Sequence, residues 1–409
     1  MDVRKMIVLI LFLAVIGIAV WYVASRIAWF SGIRPLWLYI GFGVATFLSF
    51  VAMGTYAARF TTGPAAHLFI LFFCHFCAVL VILLLTLLAV DLVHLLIPFG
   101  KAVFGACVLL VTAGLSIYGF IHAATPKLKE VTVELPHLER EMTAVQLTDV
   151  HIGHFRGREH LRKLVDMVNG ADPEVVFFTG DFIESWYNCS ENVIEPVKGL
   201  NAPVFFVDGN HDTYVDAAHV KDLCRAAGMK VLENETAETA GLQIVGLDYM
   251  VADSYARDNM HAALSSATIK STMPLMGVSD SLPTIVLHHS PVGARYMEEA
   301  GADLFLAGHT HGGQFFPLTL INDRIFEYNR GLYHRAGMEV YVSCGSGTFG
   351  IPLRIGTDSE VTLLHLKPKK GDRQHLGFGL YACYEDDPKR LCFVPDRYIQ
   401  RPDTYPIPT

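Results

Sequence analysis

Leu304-Phe-Leu-Ala-Gly-His-Thr-His-Gly-Gly313 sets a short apolar run directly before a glycine and an H-x-H pair. An apolar run of this length, closed by a turn-former, reads as a buried strand. In an extended segment alternate side chains share a face, so His309 and His311 point the same way, as a metal site requires. Alone the pair is a weak signal, because H-x-H arises often by chance. The same construction recurs outward along the chain. Strand Ala144–Leu147 runs into Thr148-Asp149-Val150-His151, and Val175–Phe178 runs into Thr179-Gly180-Asp181. Strand Val204–Val207 leads to Asp208-Gly209-Asn210-His211-Asp212, and Ile285–Leu287 leads to His288-His289-Ser290-Pro291. These strand ends deliver Asp, His, Asp, Asn, His, His and His to one edge, where open α/β sheets place their ligand crevices. Carboxylate, imidazole and amide oxygen together suit divalent metals such as Mn, Fe or Zn.

Amphipathic helical patterns separate the strands, at Glu159–Asn169, Glu191–Leu200, Ala217–Ala227 and Val292–Ala300. Further strands are expected at Val131–Leu135 and Leu242–Gly246, with a late strand pair at Glu339–Ser343 and Glu360–Leu366. Strand–helix alternation followed by late strands predicts an α/β layered domain with mixed sheets between helices.

Upstream the composition changes. Four apolar runs, Met6–Ser25, Pro35–Tyr56, Leu68–Val90 and Ala102–Ile121, each approach the roughly 20 residues a helix needs to cross a bilayer. The apolar core of the first run is too long for a signal peptide, and no small-x-small cleavage site follows it before Trp29 and Phe30. Aromatic residues Trp21, Tyr22, Trp29, Trp37 and Tyr39 sit near run ends, as interfacial anchors do. Asp91, His67 and His94 fall at the ends of the third run, near water. His75 is the immersed polar residue, and a helix-packing role is expected for it. The expected division is a membrane domain over 1–125, a soluble α/β domain over 126–370 and a C-terminal tail over 371–409 packed on that domain.

Residues 1–130 carry a net charge of +5, which leaves −13 for the remainder of a chain whose net charge is −8. So acidic a soluble part argues against general nucleic-acid binding, which needs a basic surface. Basic residues Arg4, Lys5, Arg59, Lys127 and Lys129 lie on one side of a four-span layout, against Arg26, Arg34 and Lys101 on the other. That excess favours a cytoplasmic soluble domain in an integral, multi-pass membrane protein. The cysteines outside the apolar runs are odd in number and lack C-x-x-C spacing, a poor disulfide framework.

Taken in order, D-x-H, G-D, G-N-H-D, H-x-P and G-H-x-H resemble the calcineurin-like metallophosphoesterase superfamily over roughly residues 140–366. Tyr328–Tyr333 and Tyr341–Gly350 resemble its membrane-associated bacterial branch. The four-span preamble is similar to transmembrane proteins with a metallophosphoesterase domain. The resemblance implies an αββα sandwich and two divalent metal ions. By motif position, Asp149, His151 and His311 would bind one metal and Asn210, His289 and His309 the other, with Asp181 shared. A shared carboxylate offsets the repulsion of two cations about 3.5–4 Å apart. His289 matches the family's ligand two residues before the proline, which leaves His288 as a neighbour. His211 corresponds to the family's non-ligand histidine, the expected general acid, and Glu184 stands where many relatives hold that ring with Asp. The arginine that phosphoprotein phosphatases carry in G-D-x-V-D-R-G is absent from Gly180-Asp-Phe-Ile-Glu-Ser-Trp186, which argues against a protein Ser/Thr phosphatase.

The implied function is a membrane-anchored phosphoesterase acting on a phosphodiester or pyrophosphate, with a lipid-linked substrate compatible with the tether. The alternative is a receptor or transporter-like protein that uses the soluble domain as a regulatory module.

Overall fold

The computed structural model describes residues 3–57, 62–253, 267–369, 380–382 and 391–393. Four helices come first: α1 (Val3–Ser31), α2 (Pro35–Ala57), α3 (Pro64–Leu96) and α4 (Lys101–Ala124). All four are long and apolar enough to cross a membrane. The first apolar run closes at Ser25, yet α1 continues to Ser31 because its last turns have partners. Arg26 pairs with Asp91, and Trp29 packs edge-on against Phe104. Asp91 is therefore not simply at a wet helix end: both Tyr22 and Arg26 bind its carboxylate. His75 donates Nδ1–H to the Leu71 carbonyl at 2.7 Å and rests edge-on against Phe120 and Phe155.

The remaining elements are β1 (Lys127–Leu135), β2 (Met142–Leu147), α5 (Arg158–Gly170), β3 (Val175–Thr179), α6 (Glu191–Ile194), β4 (Val204–Val207), α7 (Asn210–Ala226), β5 (Lys230–Val231), β6 (Glu235–Thr239), β7 (Leu242–Gly246), α8 (Ile269–Thr272), β8 (Thr284–Leu287), α9 (Ala294–Glu299), β9 (Leu304–Ala307), α10 (Leu318–Ile325), β10 (Gly331–Arg335), β11 (Met338–Val342) and β12 (Glu360–Pro368). Segments 380–382 and 391–393 pair with each other. The expected packing of the tail 371–409 otherwise lies outside the described residues.

Two six-stranded sheets form, in the orders β1-β12-β2-β3-β4-β5 and β10-β11-β9-β8-β7-β6. Period-2 alternation assigns each strand two jobs. In β2 and β3, Ala144, Val175 and Phe177 face the core between the sheets, while Val145, Leu147, Val176 and Phe178 pack under α5 and α7. In the second sheet Ile285, Leu304 and Leu306 join the inner core, and Val286 and Phe305 face the α9 side. The result is the αββα sandwich, a helix layer outside each sheet. Strands β2, β3 and β4 run parallel, as do β7, β8 and β9. Their C-terminal ends therefore emerge at a common edge.

Several expected elements are corrected. Over Glu191–Leu200 only α6 is α-helical, and Glu195–Gly199 tightens into a 3-10 turn at Pro196, which cannot donate to an α ladder. Helix α7 starts at Asn210 rather than Ala217, with Asp216 leaving helical geometry inside it (φ 177°, ψ 100°). The late strands do not pair: β11 lies in the second sheet, whereas β12 sits between β1 and β2 in the first. The chain changes sheet because residues 344–359 cross the strand-end edge, with Gly347 N donating to Asp149 O at 2.7 Å. Glu360 ties the crossing at both ends, accepting from Tyr341, Ser343 and Cys344 N.

The helices and the sandwich share a core. Ile70, Cys74, Ala78 and Ile82 of α3 pack with Phe315, Ile351 and Leu353 of the sandwich. Arg156 Nη2 and Ser359 Oγ both donate to the Ala123 carbonyl at the end of α4. His67, near the start of α3, stacks with His154 and Tyr187 of the sandwich. Helix α3, at 33 residues, extends about 50 Å, longer than the roughly 30 Å hydrocarbon layer, so its extra turns can meet the sandwich.

Candidate metal centre

Every strand-end residue named from sequence lies at the common edge, and the backbone there is unusual. Asp149, His151, Asp181, His309 and His311 all have φ between 50° and 73°. Such left-handed geometry costs a non-glycine residue of order 1–3 kcal/mol and persists only where surroundings over-determine it. The determinants are visible. Asp149 N donates to Gly180 O and His151 N to Asp181 O, both at 3.0 Å, while Gly308 N donates to His289 O at 2.8 Å. Asp212 accepts from Ile183 N at 2.8 Å and Gly209 N at 2.9 Å, clamping the Asp181 loop to the first turn of α7. Glycine is needed beside the carboxylates. A Cβ on Gly209 would lie 2.2 Å from Asp181 Oδ1, and one on Gly308 would lie 2.2 Å from Asp149 Oδ2.

Two Asp/His triads of ligand-type atoms result, besides the group of His151, Glu184 and His211. Asp149, His151 and His311 form one, and Asp181, His289 and His309 the other, each with its donor atoms within 4.8 Å of one another. Asp181 Oδ2 lies between them, 3.1 Å from His289 Nε2 and 3.8 Å from His151 Nε2. Burial opposes ionisation of Asp181, but the imidazoles of His289 and His211 hold its carboxyl well below the usual range. Asn210 follows Gly209, and its Oδ1 is buried without a hydrogen-bond partner.

The adjacent histidines separate cleanly. His289 donates Nδ1–H to Thr179 O at 2.8 Å, which turns Nε2 toward Asp181 Oδ2 at 3.1 Å. His288 spends both nitrogens on backbone, Nδ1–H to Ser290 O and Nε2 accepting from Met250 N, and burial pushes it down to about 4.

His211 stands beside the triads. Its backbone N donates to Asp181 Oδ1 at 2.8 Å, its Nδ1 is 2.5 Å from Glu184 Oε2, and its ring meets the exposed Phe349 edge-on. Glu184 also binds His151 Nδ1, so one carboxylate serves both rings. Burial disfavours its charge, yet His211 and His151 hold its pKa well below the usual carboxylate range. The longer side chain of Glu at this position permits that double contact. Sequence reasoning assigned Glu184 only to His211.

Arg354 was not singled out from sequence. It is fully buried, donates to the carbonyls of Cys344 and Gly347 at 2.6 and 2.8 Å, and brings Nη2 to 3.3 Å from His311 Nδ1. An arginine inside an apolar, glycine-rich segment was the available signal.

A family model described as calcineurin-like phosphoesterase matches residues 142–313. A protein called uncharacterized metallophosphoesterase from Helicobacter pylori is 32% identical over 252 residues, covering 60% of this chain and 65% of that protein. The chain thus spans about 65% of the length of such relatives. Another of that description, from Campylobacter jejuni, is 34% identical and covers 64% of this chain and 69% of its own. A transmembrane protein with metallophosphoesterase domain from Danio rerio is 32% identical, with 63% and 62% covered. An αββα sandwich, two Asp/His triads at its strand ends and these similarities agree: the chain belongs to the calcineurin-like metallophosphoesterase family.

Proposed function

We propose that the chain is a membrane-anchored, dinuclear metal-dependent phosphoesterase that hydrolyses a phosphodiester or pyrophosphate bond. The observation that carries this reading is the position of Asp181 Oδ2 between the two triads. The residues also fit a pair of cations in their chemistry. Two carboxylates, four imidazoles and an amide leave a two-dication site net positive, suited to phosphate, and the partnerless Asn210 Oδ1 is the kind of buried acceptor a cation would satisfy. Asp149, His151 and His311 would hold one ion, Asn210, His289 and His309 the other, with Asp181 common to both. When bound, such ions supply Lewis acidity and lower the pKa of a water. Mn, Fe and Zn all accept this donor set.

The chain's own residues do the rest. Thr179 fixes the His289 tautomer, a second-layer contact of the kind that orients metal-binding imidazoles. His211, its Nδ1 held by Glu184, offers its other nitrogen as general acid to the leaving oxygen. Residues 1–125 form the membrane domain, 126–370 the catalytic domain and 371–409 a tail. The negative charge of the catalytic part argues against nucleic acid as a general partner.

The test is metal analysis of the purified full chain together with turnover of bis-p-nitrophenyl phosphate. About two ions per chain, and activity that disappears with chelation and returns with metal, is the expected result. Two ions without turnover of any phosphate ester would favour the regulatory-module alternative.

Four crossings, with both ends of the chain in the cytoplasm, complete the proposal. Its support is the basic excess on the N-terminal side and the docking of the sandwich at the N-terminal end of α3 and the C-terminal end of α4. Reporter fusions after Thr409 are expected to behave as cytoplasmic and those at Gly32 as external, and the reverse pattern would overturn the orientation.

A further inference from the structure

An apolar groove of about 510 Å³ runs between α3 and α4 and ends under the sandwich. Ile82, Ala89 and Val111 line its helical walls, and Phe315, Leu353 and Ile355 line its sandwich end. Along α3 the lining extends from Val81 to Val93, about 18 Å of helix. Both walls belong to helices long and apolar enough to span a bilayer, so the medium at the open side is hydrocarbon. The volume lies within the roughly 300–1,000 Å³ of ligand cavities.

The sandwich end adjoins the metal centre through Arg354. Leu353 and Ile355 flank Arg354, whose guanidinium lies 3.3 Å from His311 Nδ1. Gln314, beside Phe315, donates to the Phe349 and Ile351 carbonyls, and Phe349 N donates back to Gln314 Oε1 at 2.7 Å. The groove cap is thereby stitched to Phe349, the ring that meets His211. From Phe316 the chain enters α10, where Leu318, Ile321 and Ile325 occupy one helical face at i, i+3, i+7 spacing, and all are exposed. Phe326, directly after α10, approaches the His309 ring at 6.1 Å. An exposed apolar stripe thus leads from the groove cap toward the other side of the site.

Resting on the phosphoesterase reading above, we propose that this groove holds an acyl chain and that α10 lies at the membrane surface. The substrate is then a phosphate ester of a lipid, its tail kept in the groove while its headgroup reaches His211 and the two triads. The groove's wall is membrane helix and its cap is active-site loop, and that continuity points to a lipid tail rather than a protein segment.

The experiment compares ethyl p-nitrophenyl phosphate with hexadecyl p-nitrophenyl phosphate on the metal-loaded full chain in phosphatidylcholine vesicles. In both, water adds to phosphorus as the bond to p-nitrophenolate breaks, so the same absorbance reads the same event. The hexadecyl ester is expected to show kcat/KM at least about 10-fold higher, given the apolar area a buried tail removes from water. The double variant Ala89→Trp, Val111→Trp, which fills the groove, should lose that advantage while keeping ethyl ester turnover. Equal rates for both esters in the wild type would overturn the groove, as would an advantage that survives in the variant, since that would reflect partitioning alone. Loss of both activities in the variant would indicate a damaged fold. A hexadecyl phosphate with a terminal diazirine then decides in the wild type. Crosslinks within 81–93 and 107–115 support the groove, and crosslinks only on α1 or α2 overturn it. Failure of the phosphoesterase reading is distinct, because the ethyl ester would then not turn over at all.

Discussion

Asp181→Asn is expected to empty both metal sites at once. The carboxylate is buried, and its Oδ2 lies 3.1 Å from His289 Nε2 and 3.8 Å from His151 Nε2, one atom of each triad. Asparagine keeps the shape and the Oδ1 acceptor that binds His211 N, so the first turn of α7 stays in place. On the proposed reading it removes the negative charge common to both sites, which two cations at close range would need. Outer-layer partners of metal-binding side chains typically cost about 10–100-fold in affinity or activity when removed, so a shared ligand should cost more than that. Elemental analysis should fall from about two ions per chain to a small fraction of one, with bis-p-nitrophenyl phosphate turnover lost in parallel. The Asp212 clamp onto Ile183 N and Gly209 N is untouched, so circular dichroism should not change. A mutant that retains one firmly held ion would show that the triads fill independently and that Asp181 serves only one of them.

The centre was legible in the sequence because each candidate ligand follows an apolar strand. A run such as Leu304–Ala307 has one buried reading, and the next residues must then lie at the sheet edge. Strand–helix alternation likewise gave the layered α/β class, whereas the αββα order came from the family resemblance. Periodicity failed where the determinant is contact rather than pattern. Gly209-Asn-His-Asp212 has the composition of a loop, yet Asp212 reaches back to Gly209 N and starts α7 seven residues before the expected helix. The strands β11 and β12 have the alternation of a hairpin, but Gly345 and Gly347 lie against Asp149, which sends the chain across the site into the other sheet. Arg354 binds mainly main-chain carbonyls, and main-chain partners leave no trace in side-chain spacing. The double contact of Glu184 is likewise a product of the fold, because His151 and His211 come from different strand ends.

His211→Ala should separate acid catalysis from metal binding. The ring sits beside Asn210 with Nδ1 2.5 Å from Glu184 Oε2, and its Nε2 is 3.9 Å from Asp181 Oδ2. Both triads are complete without it, so both ions should remain. A positioned general acid typically contributes about 10²–10⁴-fold, but only where the leaving oxygen needs a proton. An alkoxide or sugar leaving group has a high pKa and needs one, whereas p-nitrophenolate departs readily without it. The variant should therefore lose about 10²–10⁴-fold on a dialkyl phosphodiester and much less on bis-p-nitrophenyl phosphate, with its metal content unchanged. His211 also shares Glu184 with His151, and those three residues form a further cluster of ligand-type atoms. Were His211 a ligand or a prop for the Asn210 turn, its removal would lower metal content and reduce both substrates by the same factor. Measuring the two esters and the bound metal on one preparation therefore decides between an acid and a structural histidine.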